Sequence, residues 1–181
     1  MRPSLSPCID VYPDSDFAGL YSYEDPRDPH CARSRTGFVI LAFGCPIMWK
    51  SKLQTEIALS TMEAEYVALS TALKDLLPII SMVRELWLAV GLESDVISNL
   101  HCKVHEDNAG ALVLANLEPK HYTPRSKHYA IKYHWLREKV ADPSNRIKIL
   151  KVDTHNQLGD LFTKGLPKLA FTHLRRLLMG W

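Results

Sequence analysis

Ala58-Leu-Ser-Thr-Met-Glu-Ala-Glu-Tyr-Val-Ala-Leu69 is the stretch from which the rest of the chain is read. Ser60-Thr-Met-Glu63 has the form of a capping box: the serine hydroxyl accepts from the helix start while the glutamate reaches back. From there Met62, Tyr66, Leu69, Leu73 and Leu76 recur at intervals of three and four, one apolar face of a helix. Pro78 lacks a backbone donor and is expected to break or kink that helix. The pattern resumes at Ile80, Val83 and Trp87 and stops at Gly91, a C-cap glycine.

Upstream, Ile9 and Val11 alternate with Asp10 and Tyr12, a short strand ending near Asp14. Pro13 removes a backbone donor from this strand. Asp25 to His30 is a charged, proline-rich loop. Gly37 to Phe43 is a second strand, Gly44-Cys-Pro46 a turn, and Ile47 to Ser51 the start of a third. Three strands with no helix between them predict an antiparallel meander. Downstream, His101 to Glu106 is a fourth strand, Asn108 to Leu117 a short helix, and Ser126 to Val140 another. Arg146 to Val152 is a fifth strand, and Thr154 to Lys164 and Leu169 to Leu178 are closing helices. An antiparallel half followed by parallel units predicts an α/β fold: a five-stranded mixed sheet, three antiparallel strands then two parallel, flanked by helices.

The chain has 181 residues, enough for one domain spanning 1–181 and too few for two comfortable ones. Hydrophobic residues at 46% and charged residues at 23% exclude a disordered chain. No unbroken apolar run approaches the ~18 residues of a membrane span, and the N-terminus does not lead into a signal peptide, so neither membrane nor secretion is expected. A net charge of +2 is compatible with nucleic acid without requiring it. Cys8, Cys31, Cys45 and Cys102 are scattered and are read as free thiols of a reducing compartment, with no zinc spacing.

Four acids stand where chemistry gathers. Asp14 ends the first strand, Glu65 lies in the first turns of the long helix, Asp107 follows the fourth strand, and Asp160 follows the fifth. Ligands of open α/β sheets collect beyond strand ends. Carboxylates converging there repel unless a cation lies between them, and hard oxygen donors suit magnesium. Two such ions clamp the attacking water and leaving oxygen of a phosphodiester. Each acid also has a plainer reading: Asp14 and Asp16 as turn residues, Asp107 as a helix N-cap, Asp160 on a solvated face. Between the two helix glutamates, Glu65 falls beside Leu69, Ala72 and Leu76 at the edge of the buried stripe. Glu63 falls nearer Val67, Ser70 and Lys74 and already has the capping role.

A set of blocks then recurs in order: Tyr12-Pro-Asp-Ser-Asp-Phe-Ala-Gly19, Arg33-Ser-Arg-Thr-Gly-Phe-Val39, Trp49-Lys-Ser-Lys52, the opening stretch Ala58 to Leu69, Glu106-Asp-Asn-Ala-Gly-Ala-Leu112, Arg125-Ser-Lys-His128, Tyr133-His-Trp-Leu-Arg-Glu138 and Gln157-Leu-Gly-Asp-Leu-Phe-Thr-Lys164. This ordered set resembles the ribonuclease H domain of copia-type retrotransposon Pol polyproteins over nearly the whole chain. The resemblance implies a ribonuclease H-like fold and two-metal hydrolysis of the RNA strand of an RNA–DNA hybrid. Its metal-ligand positions fall on Asp14, Glu65, Asp107 and Asp160, with two Mg2+ ions as cofactor and Mn2+ as a substitute. The products are 3′-hydroxyl and 5′-phosphate ends, with no covalent enzyme intermediate. The resemblance also implies a reverse transcriptase domain of the same polyprotein as partner, and a cytoplasmic, virus-like-particle or nuclear location.

Lys50, Lys52, Arg125, Lys127 and His128 are candidates for phosphate or ribose contacts, with a solvated basic face as the alternative. Trp49 is read as core in preference to a stacking platform; Trp87, Trp135 and Trp181 are read as packing residues, and His155 as an exposed loop residue. Against the enzyme stands a second class of function: a catalytically degenerate or co-opted nucleic-acid-binding or interaction domain, which would keep the fold without needing a metal at its carboxylates.

Overall fold

The sheet is organised around β1 (Cys8–Asp16), which pairs antiparallel with β2 (Arg35–Ala42) and parallel with β4 (His101–Glu106). The computed structural model describes residues 7–21, 23–91, 99–116 and 127–181, without the side chains of 113–116, 127–130 and 133. β3 (Cys45–Leu53) pairs antiparallel with β2, and β5 (Ile147–Lys151) runs parallel to β4. The order β3-β2-β1-β4-β5 is the mixed five-stranded sheet expected from the sequence. Four helices accompany it among the described residues: α1 (Thr61–Ala89), α2 (Ala109–Asn116), α3 (Lys127–Ala141) and α4 (Lys168–Met179).

Both faces of the sheet are covered, which is why Phe38 to Leu41 is a continuous apolar run and not an alternating one. On one face Ile9, Val11, Phe38, Ile40 and Val104 pack against Leu69, Leu73, Leu76 and Ile80 of α1 and Leu136 of α3. On the other, Val39 and Leu41 pack against Leu158 and against Leu174 and Leu178 of α4.

The start of α1 is capped as expected, with one change. Ser60 Oγ accepts from Glu63 N at 3.2 Å, but the Glu63 carboxylate accepts from Leu59 N at 2.7 Å, one residue earlier than a capping box predicts. Met62, placed in the apolar stripe by its spacing, is 41% exposed. The predicted break at Pro78 does not occur: α1 continues unbroken to Ala89. A mid-helix proline costs about 3 kcal/mol. Leu76, Ile79, Ile80 and Val83, on either side of it, are all buried, and each such side chain contributes roughly 1.5–3 kcal/mol. Burial therefore outweighs the lost helix bond. By length and composition α1 could cross a membrane, although no long unbroken apolar run flagged it; here its apolar stripe lies against the sheet. Gly91 follows its end at φ 77°, in the left-handed region that the C-cap reading requires.

The first hairpin is tighter than predicted. Phe43 and Gly44 both have positive φ, so the turn takes two residues and β3 already begins at Cys45. Pro46 thus lies within a strand, which is tolerated because β3 is an edge strand and the β2 register shifts beside it, between Ile40 and Leu41. Pro13 is accommodated differently. Cys8 O accepts from Phe43 N after β2 while Pro7 O accepts from His101 N of β4, so strand alternation turns the backbone groups of residues 9, 11 and 13 toward β4. The β1–β4 ladder ends at Val11 and Val104, so no sheet bond is lost at Pro13.

The segment Thr154 to Lys164 is not the α-helix predicted. It forms two short 3-10 turns, Thr154–Asn156 and Leu158–Phe162. Asp153 and Gln157 cap them through their own side chains, a local bonding that competes with α-helix. Gly159 shows why the path is held close to β1. A Cβ there would lie 2.7 Å from Asp14 Cβ and 2.8 Å from Tyr12 O. Gly159→Ala should therefore destabilise the chain by about 1–3 kcal/mol through overpacking, measured by denaturant unfolding. An unchanged midpoint would show that the turn can move away at no cost.

Candidate active site

β1 and β4 are neighbouring parallel strands, so their C-terminal ends open at the same edge of the sheet. Asp14 lies near that end of β1, and Asp107 directly follows β4. α1 packs beneath β1 and brings Glu65 to the same place. One carboxylate oxygen from each of Asp14, Glu65 and Asp107 lies within 4.8 Å of the others. Asp107 is not the N-cap of α2; Asn108 fills that role, its Oδ1 accepting from Ala111 N at 3.0 Å, which leaves the Asp107 carboxylate for the cluster. Glu65 is 5% exposed, while Glu63 remains on the capping side of the helix.

Asp160 reaches the site from the second 3-10 turn, not from a helix. Gln157 pins that turn where β1 and β4 diverge. Its buried Nε2 donates to Pro13 O at 2.9 Å and His105 O at 3.1 Å, and its Oε1 accepts from Gly159 N at 3.2 Å. Thr163 donates its hydroxyl to Asp14 Oδ2. Lys164 Nζ lies 2.8 Å from Asp160 Oδ1 and 3.3 Å from Asp14 Oδ1. Gln157, Thr163 and Lys164 had no assigned role in the sequence reading. Only Lys164 left a usable signal, its i,i+4 spacing from Asp160.

The electrostatics follow from burial. Burial pushes Asp14 up to about 7, with Lys164 pulling the other way and Asp160 adding repulsion. Glu65 is pushed up to about 10 by burial and by Asp14, Glu106 and Asp107. Glu106, which lies fully buried behind the cluster, rises to about 8 through burial, although Asn108 N donates to it at 3.0 Å. Burial opposes the charge of Lys164, but the Asp14 and Asp160 carboxylates outweigh it and hold the ammonium above its usual range. Glu65 Oε2 is buried with no hydrogen-bond donor. Converging hard oxygens, mutual repulsion and an orphaned buried carboxylate oxygen together fit a divalent cation held by Asp14, Glu65 and Asp107.

The basic candidates divide. Lys50 and Lys52 lie on β3, two strands from Asp14, roughly 10 Å away at ordinary strand spacing. They line a groove of about 380 Å³ with Gln54 and with Lys74 of α1 and Lys132 of α3. Lys50 is engaged by Asp75 at 2.6 Å, and Lys52 is exposed. Arg125 and the side chains of Lys127 and His128 lie outside the described residues. Two tryptophans depart from their expected places. Trp49, on the edge strand β3, is 64% exposed, and Trp181 is 67% exposed beneath Arg175. Trp87 and Trp135 pack at the core margin as expected, and His155 is exposed.

No protein-family model matches the chain. It is 33% identical over 165 residues to the retrovirus-related Pol polyprotein from transposon TNT 1-94 of Nicotiana tabacum, covering 91% of this chain and 11% of that one. The chain spans about a tenth of the length of the curated relatives it matches. Among solved structures it is similar to the N-terminal RNase H domain of Rv2228c from Mycobacterium tuberculosis, with a TM-score of 0.54 and 13% identity, covering 91% of this chain and 96% of that one. It is also similar to LC11-RNase H1 in complex with an RNA/DNA hybrid, with a TM-score of 0.54 and 17% identity over 86% and 93% of the two chains.

The raised carboxylates make metal-free stability depend on pH. Asp14 and Glu65 have ordinary values of 3.8 and 4.5 in the unfolded chain and about 7 and about 10 when folded. The folded state therefore binds protons more tightly, and this stability is complete below about pH 4 and lost as pH rises through 7 toward 10. In chelator, the melting temperature should fall between roughly pH 5 and pH 9, and Glu65→Gln should flatten the fall. A melting temperature rising over that range would contradict this electrostatic account.

Proposed function

We propose, for a chain that is homologous to one segment of the retrovirus-related Pol polyproteins of plant transposons and has the ribonuclease H fold, that it hydrolyses the RNA strand of an RNA–DNA hybrid. The observation that carries this reading is the convergence of Asp14, Glu65 and Asp107 within 4.8 Å at the open ends of two parallel strands. Support for the substrate comes from LC11-RNase H1, a structural neighbour whose structure is of a complex with an RNA/DNA hybrid.

Asp14, Glu65 and Asp107 would hold one divalent ion, and Asp14 with Asp160 a second. Such ions, when bound, polarise the scissile phosphate and make water a competent nucleophile near neutral pH. In the balanced reaction, a water oxygen bonds to phosphorus, the P–O3′ bond breaks, and the 3′ oxygen takes up a proton. The protein's part is to place its acids. Gln157 fixes the turn that carries Asp160, and Thr163 orients Asp14 by hydrogen bonding. Lys50 and Lys52, two strands away on β3, would meet backbone phosphates beyond the scissile one. A hybrid offers a 2′-hydroxyl on one strand only, by which a single groove can sense RNA. As a segment of a longer Pol chain, the fold would work beside the reverse transcriptase of that chain.

Asp14→Asn and Asp107→Asn should each abolish cleavage of a labelled hybrid in magnesium or manganese while leaving a folded protein, because an amide keeps the shape and removes the charge that holds the cation. Glu63→Gln should retain cleavage and cost about 1 kcal/mol or less of stability. Duplex DNA should be cleaved little, and binding should weaken as salt rises. Hybrid cleavage by both asparagine variants at the parent rate would end the nuclease reading. A parent chain that binds hybrid without cutting it would be the degenerate or co-opted module.

A further inference from the structure

We propose that Lys164 is a built-in cation of this site. Its ammonium occupies the place between Asp14 and Asp160 that a second divalent ion would take, so that the free chain loads one divalent ion and accepts a second only when Lys164 leaves. The inference rests on the metal-dependent reading above and concerns how many ions the free protein holds.

Asp14 is the pivot. It belongs to the three-acid cluster and also to the Lys164 pair, at 3.3 Å from Nζ. Asp160 is not among the three converging acids; its Oδ1 lies 2.8 Å from the same Nζ. A two-ion carboxylate site needs a shared carboxylate and ions about 3.5–4 Å apart. Here the shared carboxylate is Asp14, and the outer position is bridged by an ammonium. Magnesium approaches oxygen ligands to about 2.0–2.1 Å, so it cannot share the crook of these two carboxylates with Nζ. Repulsion between the charges adds to the exclusion.

The lysine is held there by local geometry. Lys164 N donates to Asp160 O at 3.1 Å, closing the turn that places the side chain back over the Asp160 carboxylate. The side chain is 35% exposed, so the ammonium has a path out to solvent. Ammonium is a compact point charge on a flexible stem and an effective phosphate ligand. A substrate phosphate arriving at the site offers it another partner, and its departure frees both carboxylates at that moment. Lys164 thereby acts as a positioning residue that neutralises Asp160 in the free chain and yields to substrate.

The test is a count of bound Mn2+ on the 181-residue chain without nucleic acid, by calorimetric titration and electron paramagnetic resonance. The parent should bind one ion with no spin coupling. Lys164→Gln, which keeps a polar side chain one atom shorter but removes the charge, should bind two coupled ions, the second at least about tenfold more tightly than in the parent. Lys164→Arg should remain at one. Two coupled ions on the parent, or only one on folded Lys164→Gln, overturns the proposal while leaving the metal-dependent reading standing. If Lys164→Gln does not fold, the parent's count decides by itself: one ion supports the proposal and two overturn it. A parent that binds no Mn2+, with Glu65→Gln indistinguishable from it, overturns this proposal together with the metal-dependent reading.

Discussion

Three carboxylates within 4.8 Å of one another at the edge of a sheet repel, and two of them, Asp14 and Glu65, are almost completely buried. The architecture around the site answers to that repulsion. A fold seeking stability alone would replace these side chains with apolar ones, since burying an unpaired charge costs more than nearly any other feature of a core. The cluster persists because the sheet and α1 are rigid enough to impose it. Apolar packing from Ile9 and Val11 through Leu69, Leu73 and Leu76 sets the position of Glu65 against Asp14 with little freedom to relax. Protonation, a metal ion or a neighbouring ammonium can relieve the charge, and the chain supplies the last of these itself through Lys164.

The way the fourth acid is delivered shows how irregular backbone becomes useful. β1 and β4 stop pairing after Val11 and Val104, leaving carbonyls that would be buried without partners. Gln157 satisfies two of them and ties the 3-10 turn to the sheet at the same time. Gly159 permits contact close enough to bring the turn over Asp14. Pro13, which looks out of place in a central strand, falls where the ladder has already ended. Unlike Pro46 and Pro78, these local breaches of strand and helix rules lie within a few residues of the acids, where regular structure must give way for the side chains to converge.

The basic surface proposed to meet substrate is organised on a different scale. The Lys50–Lys52 edge of β3 and the groove lined by Lys74 and Lys132 lie strands away from the acids, the spacing that phosphate contacts along an extended duplex would need. Two of these lysines are already paired within the protein, Lys50 with Asp75 and Lys132 with Glu56. Such pairs hold the basic surface in shape, and their exposed ends exchange partners cheaply.

Much of this was legible without coordinates. Period-two and period-3.6 patterning marked the strands and the long helix, because burial on one face imposes a repeat on the sequence. That repeat also separated Glu65 from Glu63, since both lie on one helix whose geometry is regular. Pro78 misled because a local rule was outweighed by burial on either side of it, and burial is a property of the assembled sheet. The segment carrying Asp160 misled for the opposite reason: its conformation depends on Gln157 reaching carbonyls of β1 and β4, residues more than fifty and more than a hundred positions away. The pairing of Lys164 with Asp14 spans 150 positions and appears only when the two ends of the chain meet. By itself, then, the sequence determined the elements and the sheet they build, because these follow from local periodicity; it put acids at the strand ends, and only the ordered family blocks singled them out as a set. Only tertiary structure decided how Asp160 arrives and that the Lys164 ammonium bridges it to Asp14, because those depend on contacts between parts of the chain with no periodic relation to one another.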